Sequence, residues 1–180
     1  YEEALKNALR EAPDVIMIGE IRDLNTMKQA IAYAETGHLC LSTLHANNAN
    51  QAMERVINFF PEEAHRQLLV DLSLNLAGVV SQRLIPGLHE KLVPAVEVML
   101  NSSYISDLIA KGEFSGIKEA MARSTEIGMC TFDQALYQLY TEDRISLDEA
   151  LHNADSRTDL ALRVRLDAGD IGTKGGLLTN

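Results

Sequence analysis

Asp-Val-Ile-Met-Ile-Gly-Glu-Ile-Arg-Asp, residues Asp14 to Asp23, is the stretch that decides the fold of this chain. Val15 to Ile18 are four apolar residues, three of them β-branched, bounded by Asp14 and Gly19. That pattern predicts a buried strand in a parallel sheet. Side chains just past the carboxyl end of such a strand line the crevice where α/β sheets bind ligands. Glu20 sits there. Two readings of it are open: a carboxylate that holds a hydrated Mg²⁺ or polarises a water, and a polar turn residue.

The next element has the same character. Thr36 to Ala49 reads Thr-Gly-His-Leu-Cys-Leu-Ser-Thr-Leu-His-Ala-Asn-Asn-Ala, and Leu39 to Leu44 predicts a second short buried strand. His45 follows at its carboxyl end. If the two strands are parallel, Glu20 and His45 emerge at the same sheet edge. His38 lies at the opposite end, roughly 23 Å away at about 3.3 Å per extended residue. His38 and His45 therefore cannot share a metal ion, and Asp14 and Glu20 are not a carboxylate pair.

Around these strands the pattern is helical. Glu2 to Arg10 reads as a helix feeding the first strand. Asp23 can cap a helix carrying Met27, Ala30, Ile31 and Ala34 on one face and ending at Gly37. Asn47 or Asn48 caps another that reaches Asn58. Pro61 opens a third, striped by Leu68, Leu69, Leu72 and Leu76. Alternation of helix and strand predicts an α/β fold. Ala77 to Ile85 allows either helix or strand. Pro86-Gly87 marks a turn, and Val93 to Leu100 reads as a facing strand, with Pro94 arguing for an edge position. Beyond Asn101 the chain turns helical, with capping boxes at Thr131-x-x-Gln134 and Ser146-x-x-Glu149. Ala168 to Asn180, which includes the Gly-rich Gly169 to Lys174, reads as a flexible tail.

Bulk properties exclude several classes. The chain has 180 residues, enough for one domain with a sizeable core, and 46% hydrophobic residues. No apolar run approaches the ~20 residues that span a bilayer. The charged start, Tyr1 to Arg10, is no signal peptide. Lys+Arg of 16 against Asp+Glu of 26 give a net charge of −10, which repels phosphate backbones and argues against nucleic acid. Cys40 and Cys130 are far apart in apolar settings, as reduced cytoplasmic thiols would be, with no zinc spacing. There is no initiator Met and no G-x-x-x-x-G-K-[ST] phosphate loop. The expectation is therefore the carboxyl-terminal portion of a longer protein.

Gly19 to Asp23 resembles the Walker B box of the secretion ATPases, with Gly19 in place of the usual aspartate. Thr36 to His45 resembles their histidine box. From Tyr1 to about Asp155 the chain resembles the carboxyl-terminal RecA-like domain of the type IV pilus retraction ATPases, the PilT/PilU family. Leu44–Ala52 (LHANNANQA), Ile57–Glu63 (INFFPEE), Asp71–Leu76 (DLSLNL) and Thr131–Tyr140 (TFDQALYQLY) resemble its PilU-type branch.

The resemblance implies a partial RecA-like core over residues 1–100, a helical subdomain over 101–167 and the tail 168–180. It implies ATP and Mg²⁺ as cofactors, with Glu20 as the catalytic acid that aligns water or holds Mg²⁺ through water, and no direct metal ligand. It places His45 near the γ-phosphate and gives Gly19 and Asp23 supporting positions. Arg22 contacts a phosphate or a neighbouring subunit, or pairs with Asp23 or another acid to fix the loop. His38 takes a structural or interface role. Arg83, in Ser81-Gln82-Arg83-Leu84, either snorkels to solvent or contacts nucleotide or an interface.

The implied assembly is a homo-hexamer at the inner face of the cytoplasmic membrane. It drives pilus retraction and twitching motility beside a PilT-type paralogue and an inner-membrane pilus platform protein. One departure stands out. PilT-type motors carry an Ala-Ile-Arg-x-Leu-Ile-Arg-Glu helix where this chain has Tyr104 to Lys111, with Ser106 and Ala110 in place of the arginines. That favours the accessory PilU-type role. The alternatives are a pilus-assembly or type II secretion ATPase, disfavoured because the four-cysteine zinc module common there is missing, and a non-catalytic ring component.

Overall fold

The computed structural model describes residues 13–174. The helix expected over Glu2 to Arg10 lies outside them. Alternating strands and helices give the expected α/β class: β1 (Val15–Ile18), α1 (Leu24–Glu35), β2 (Leu39–Ser42), α2 (Ala49–Asn58), α3 (Glu62–Asn75), β3 (Gly78–Pro86), β4 (Leu92–Leu100), α4 (Ser103–Lys111), α5 (Ile117–Ala122), α6 (Phe132–Thr141), α7 (Leu147–Asn153) and α8 (Arg157–Lys174).

The chain forms two compact units, neither continuous in sequence. The first runs to Val79 and takes in Leu100–Ala120; the second holds Val80–Met99 and everything from Met121 onward. A cut at residue 100 does not describe them. The reason lies in which apolar faces meet. Ile85, Val93 and Ala95 of the β3–β4 hairpin share one core with Phe132, Leu136, Leu139, Ile145, Ala150 and Leu160 of the later helices. Helix α4 instead turns Ile105, Leu108 and Ile109 inward and packs on α3.

In the first unit β1 and β2 pair in parallel, from Val15 opposite Leu39 to Ile18 opposite Ser42. Both strands were expected to be buried throughout. Only Ile16 and Ile18 are, while Met17 is 76% exposed and Val15, Leu39 and Leu41 are also open. Among the described residues β1 thus shows the two-residue alternation of a strand covered on one face, while β2 has no buried residue. The helix between the strands is capped as its sequence predicts: Asp23 Oδ1 accepts the Thr26 amide at 2.8 Å. Its buried face is Met27, Ala30 and Tyr33, so Tyr33 replaces the expected Ile31 and Ala34. Gly37 then takes φ +89, a value open to glycine without strain. Asn48 caps α2 through the Gln51 amide, as expected for one of the two asparagines.

The segment from Gly78 is a strand rather than a continued helix, and from Val80 it belongs to the second unit. The short link 87–91 admits only antiparallel pairing of β3 with β4. They form a two-stranded sheet of their own, so Pro94 sits on an edge as expected and the hairpin does not extend the β1–β2 ladder. Thr131 and Gln134 form the full reciprocal capping box on α6. At α7 only half of the expected box exists: Ser146 accepts the Glu149 amide, while the Glu149 carboxylate takes Asn153 Nδ2. The expected tail begins differently, because α8 continues to Lys174 and includes Gly169 to Lys174.

Phe132 is the largest fully buried side chain of the second core, and the Arg83 guanidinium lies 3.9 Å above its ring. Phe132→Ala should cost about 3–5 kcal/mol of unfolding free energy. Urea denaturation measures it, and a loss below about 1 kcal/mol would mean that this cluster does not hold the unit together.

Candidate functional site

The shared register of β1 and β2 brings their carboxyl ends side by side, and two side chains meet there. Glu20 Oε1 lies 2.6 Å from His45 Nε2. On its other oxygen, Glu20 Oε2 accepts Arg22 Nε at 2.6 Å. Glu20 is 20% exposed at the side chain, whereas Arg22 and His45 are each 76% exposed. The carboxylate is thus sheltered beneath a guanidinium and an imidazole that are both largely exposed. The His45 approach is short but not aligned for hydrogen bonding, so the shielded Oε1 accepts no hydrogen bond.

The electrostatics follow from this packing. Arg22, through its hydrogen bond and its charge, holds the Glu20 carboxyl below its usual range, with His45 and Arg55 adding to the effect and partial desolvation opposing it. Glu20 is a carboxylate at neutral pH. Arg55, on the last turn of α2, adds a weaker electrostatic pull on Glu20 that pattern reading missed. Its position a full helix away from the two strand ends gave no local signal.

The remaining candidates separate clearly. Gly19 and Asp23 flank the site. Asp23 is used as the cap of α1, and its carboxyl is lowered by the Thr26 amide and hydroxyl. Arg22 pairs with Glu20 rather than with Asp23. His38 stands at the other end of β2, where its Nδ1 lies 3.0 Å from Thr36 Oγ1 and 3.2 Å from the Tyr33 carbonyl. Arg83 belongs to the second unit and does not snorkel freely. It donates to the Asn153 carbonyl at 3.0 Å, pairs with Asp155 at 2.7 Å and stacks on Phe132. Cys40 and Cys130 are free thiols, half-buried, with burial pushing both upward in pKa.

Ser106 also has a definite role. Its hydroxyl and the Asn101 amide donate to the Ser73 carbonyl at 2.7 and 2.9 Å, closing the last turn of α3. Ala110 is exposed on α4.

A metal ion held directly does not fit these residues: no group of three or more His, Cys, Asp or Glu converges among the described residues. One carboxylate with an unused, shielded oxygen does fit a cation held through water, because Mg²⁺ keeps most of its waters. The Arg22 guanidinium and the His45 ring N–H fit phosphate oxygens.

Comparison with known proteins agrees with this architecture. The family model described as "Type II/IV secretion system protein" matches residues 1–158. The type IV pilus ATPase PilU of Pseudomonas aeruginosa is 59% identical over 167 residues, 92% of this chain and 44% of that protein. The type IV pilus retraction ATPase PilT of the same organism is 38% identical over 154 residues, covering 86% of this chain and 45% of its own length. The crystal structure of the pilus retraction motor PilT with bound ADP superposes with a TM-score of 0.75 at 36% identity, over 86% of this chain and 43% of that one. The chain thus spans less than half the length of the relatives it matches. With that match over most of its residues, the chain belongs to the type II/IV secretion system protein family.

Proposed function

We propose that the chain is the acid-and-histidine part of an ATP-hydrolysing motor of type IV pili, of the accessory PilU kind. The observation that carries this is the sheltered Glu20 carboxylate held between Arg22 and His45 at the adjoining ends of two parallel strands. The 59% identity to PilU supports the branch. The working assembly is a homo-hexamer at the inner face of the cytoplasmic membrane, beside a PilT-type paralogue and the pilus platform protein.

Each residue then has a task. Bound ATP with Mg²⁺ supplies the transferable phosphoryl group. Glu20 is ionised before substrate arrives, so its unused Oε1 is ready to accept a proton from water and to orient it. His45 covers that oxygen and Arg22 the other, and both are exposed enough to swing toward phosphate. When they do, the carboxylate is uncovered, and the Arg22 guanidinium and the His45 imidazole meet developing charge. His38 and Arg83 stay out of this chemistry, because each is committed to local contacts elsewhere.

Glu20→Gln keeps the shape and removes the charge. In the full-length protein it should retain ATP binding and lose steady hydrolysis by on the order of 10²-fold or more. Near-normal turnover would remove Glu20 from the catalytic role.

The lowered Glu20 pKa gives a second outcome. Activity should hold steady through neutral pH and fall only when acid protonates Glu20, below the ordinary carboxylate range. Arg22 is the main cause of the lowering. Arg22→Ala should therefore move the acid limb of kcat/KM, which reports the free enzyme, to higher pH. An unmoved limb in a pH–rate profile would break the link between the two residues.

The accessory role rests on α4. Ser106 is spent on closing α3 and Ala110 bears no charge, so the basic face that PilT-type motors carry there is absent. Coupling requires an element that the nucleotide biases and a contact that reads it. In a cell lacking its PilT-type partner, this protein should hydrolyse ATP without retracting pili. Twitching at ordinary frequency in that strain would make it an independent motor.

A further inference from the structure

We infer that Thr43 is a positioning residue that fixes Glu20 in place and couples it to the loop bearing His45. The inference rests on the reading of Glu20 as the water-activating acid. Two bonds carry it. The Thr43 hydroxyl donates to the Gly19 carbonyl at 2.6 Å. The Ile21 amide donates to the Thr43 carbonyl at 3.0 Å.

These bonds fall on the two peptide groups that flank the Glu20 Cα. The Gly19 carbonyl belongs to the peptide preceding it, and the Ile21 amide to the one following. One residue therefore restrains both backbone torsions of Glu20. The strand ladder stops at Ile18 opposite Ser42, so without Thr43 the acid would stand on an unpaired loop. Gly19 has no side chain, and a Cβ placed there would meet nothing within 4 Å, so packing does not hold the loop at that point. Thr43 is also two residues before His45. The bonds that pin the carboxylate thus set its 2.6 Å separation from the imidazole. A misplacement of about 1 Å in a reacting group can cost on the order of 10²-fold in rate.

The hydroxyl is the testable part, since the Thr43 carbonyl survives any substitution. Thr43→Val keeps the β-branched shape suited to a strand end and removes the donor. Thr43→Ala removes it with less bulk, and Thr43→Ser restores it. Thr43 is exposed, so each change leaves the buried core alone. In the full-length protein, Thr43→Val and Thr43→Ala should lower kcat for ATP about tenfold with KM changed less than about twofold, and Thr43→Ser should stay within about threefold of the parent.

A pH–rate profile separates positioning from simple loss of stability. Glu20 is faced by Arg22 from its own loop, by His45 after β2 and by Arg55 from α2. Loosening the loop weakens the Arg22 and His45 contacts, so the acid limb should move to higher pH in Thr43→Val and return in Thr43→Ser. Parent-like kcat in both hydroxyl-free variants overturns the inference. So does a fall in kcat that the serine fails to rescue and that leaves the acid limb unmoved. Glu20→Gln, run alongside, tells the two failures apart. If it is inactive while Thr43→Val is normal, only the Thr43 inference fails; if Glu20→Gln is active, the reading beneath it fails as well.

Discussion

Parallel pairing of two four-residue strands in one register is the constraint on which the site depends. Val15 faces Leu39 and Ile18 faces Ser42. Because side chains alternate along a strand, a slip of one residue would turn Ile16 and Ile18 outward and bring Val15 and Met17 to the covered face. The same slip would pull Glu20 and His45 apart by about 3.3 Å, more than the separation they now have. The register is held at both ends by bonds outside the ladder. The Leu39 amide donates to the Asp14 carbonyl at 3.0 Å at the start. Thr43 binds Gly19 and Ile21 at the finish. Burial of the two isoleucines and placement of the acid are thus one choice made once.

What a sequence can show of such a site depends on how far its cause lies along the chain. Glu20 beside His45 was legible because strand ends follow from short apolar runs, and parallel strands end together. Asp23, Asn48 and Thr131 were legible because a cap acts on amides only two or three residues away. The partner of Arg22 was not, since both Glu20 and Asp23 were within reach and only side-chain torsions choose between them. Arg55 and Thr43 were missed for a related reason. A strand-end threonine looks the same whether its hydroxyl meets water or the Gly19 carbonyl twenty-four positions away. The grouping of the β3–β4 hairpin with the later helices was hidden too, because it depends on which apolar faces meet and not on where they fall in sequence.

Helix ends account for the departure at Ser106. A helix leaves its last carbonyls without partners, and a buried one must find donors. At the end of α3, the Ser73 carbonyl takes both the Ser106 hydroxyl and the Asn101 amide. A short hydroxyl makes that bond only by staying on the helix surface, so this position cannot also project a long charged group to a distant contact. The residue that closes α3 is therefore the one that removes a basic face from α4.

The same contrast between reach and commitment sorts the arginines. Arg22 and Arg83 are both ion-paired, yet they differ in what surrounds them. Arg22 is 76% exposed, and exposed pairs are weak because water and salt compete with them. Its guanidinium stays in water whether or not it holds Glu20. Arg83 is 22% exposed, its partner Asp155 19%, and its guanidinium also binds a carbonyl and covers the Phe132 ring. Removing it would strand a half-buried carboxylate and uncover an aromatic core, which is the costly way to break a pair. Arg22 is thus tied to one acid by a bond that water contests, and Arg83 is built into the core of its unit.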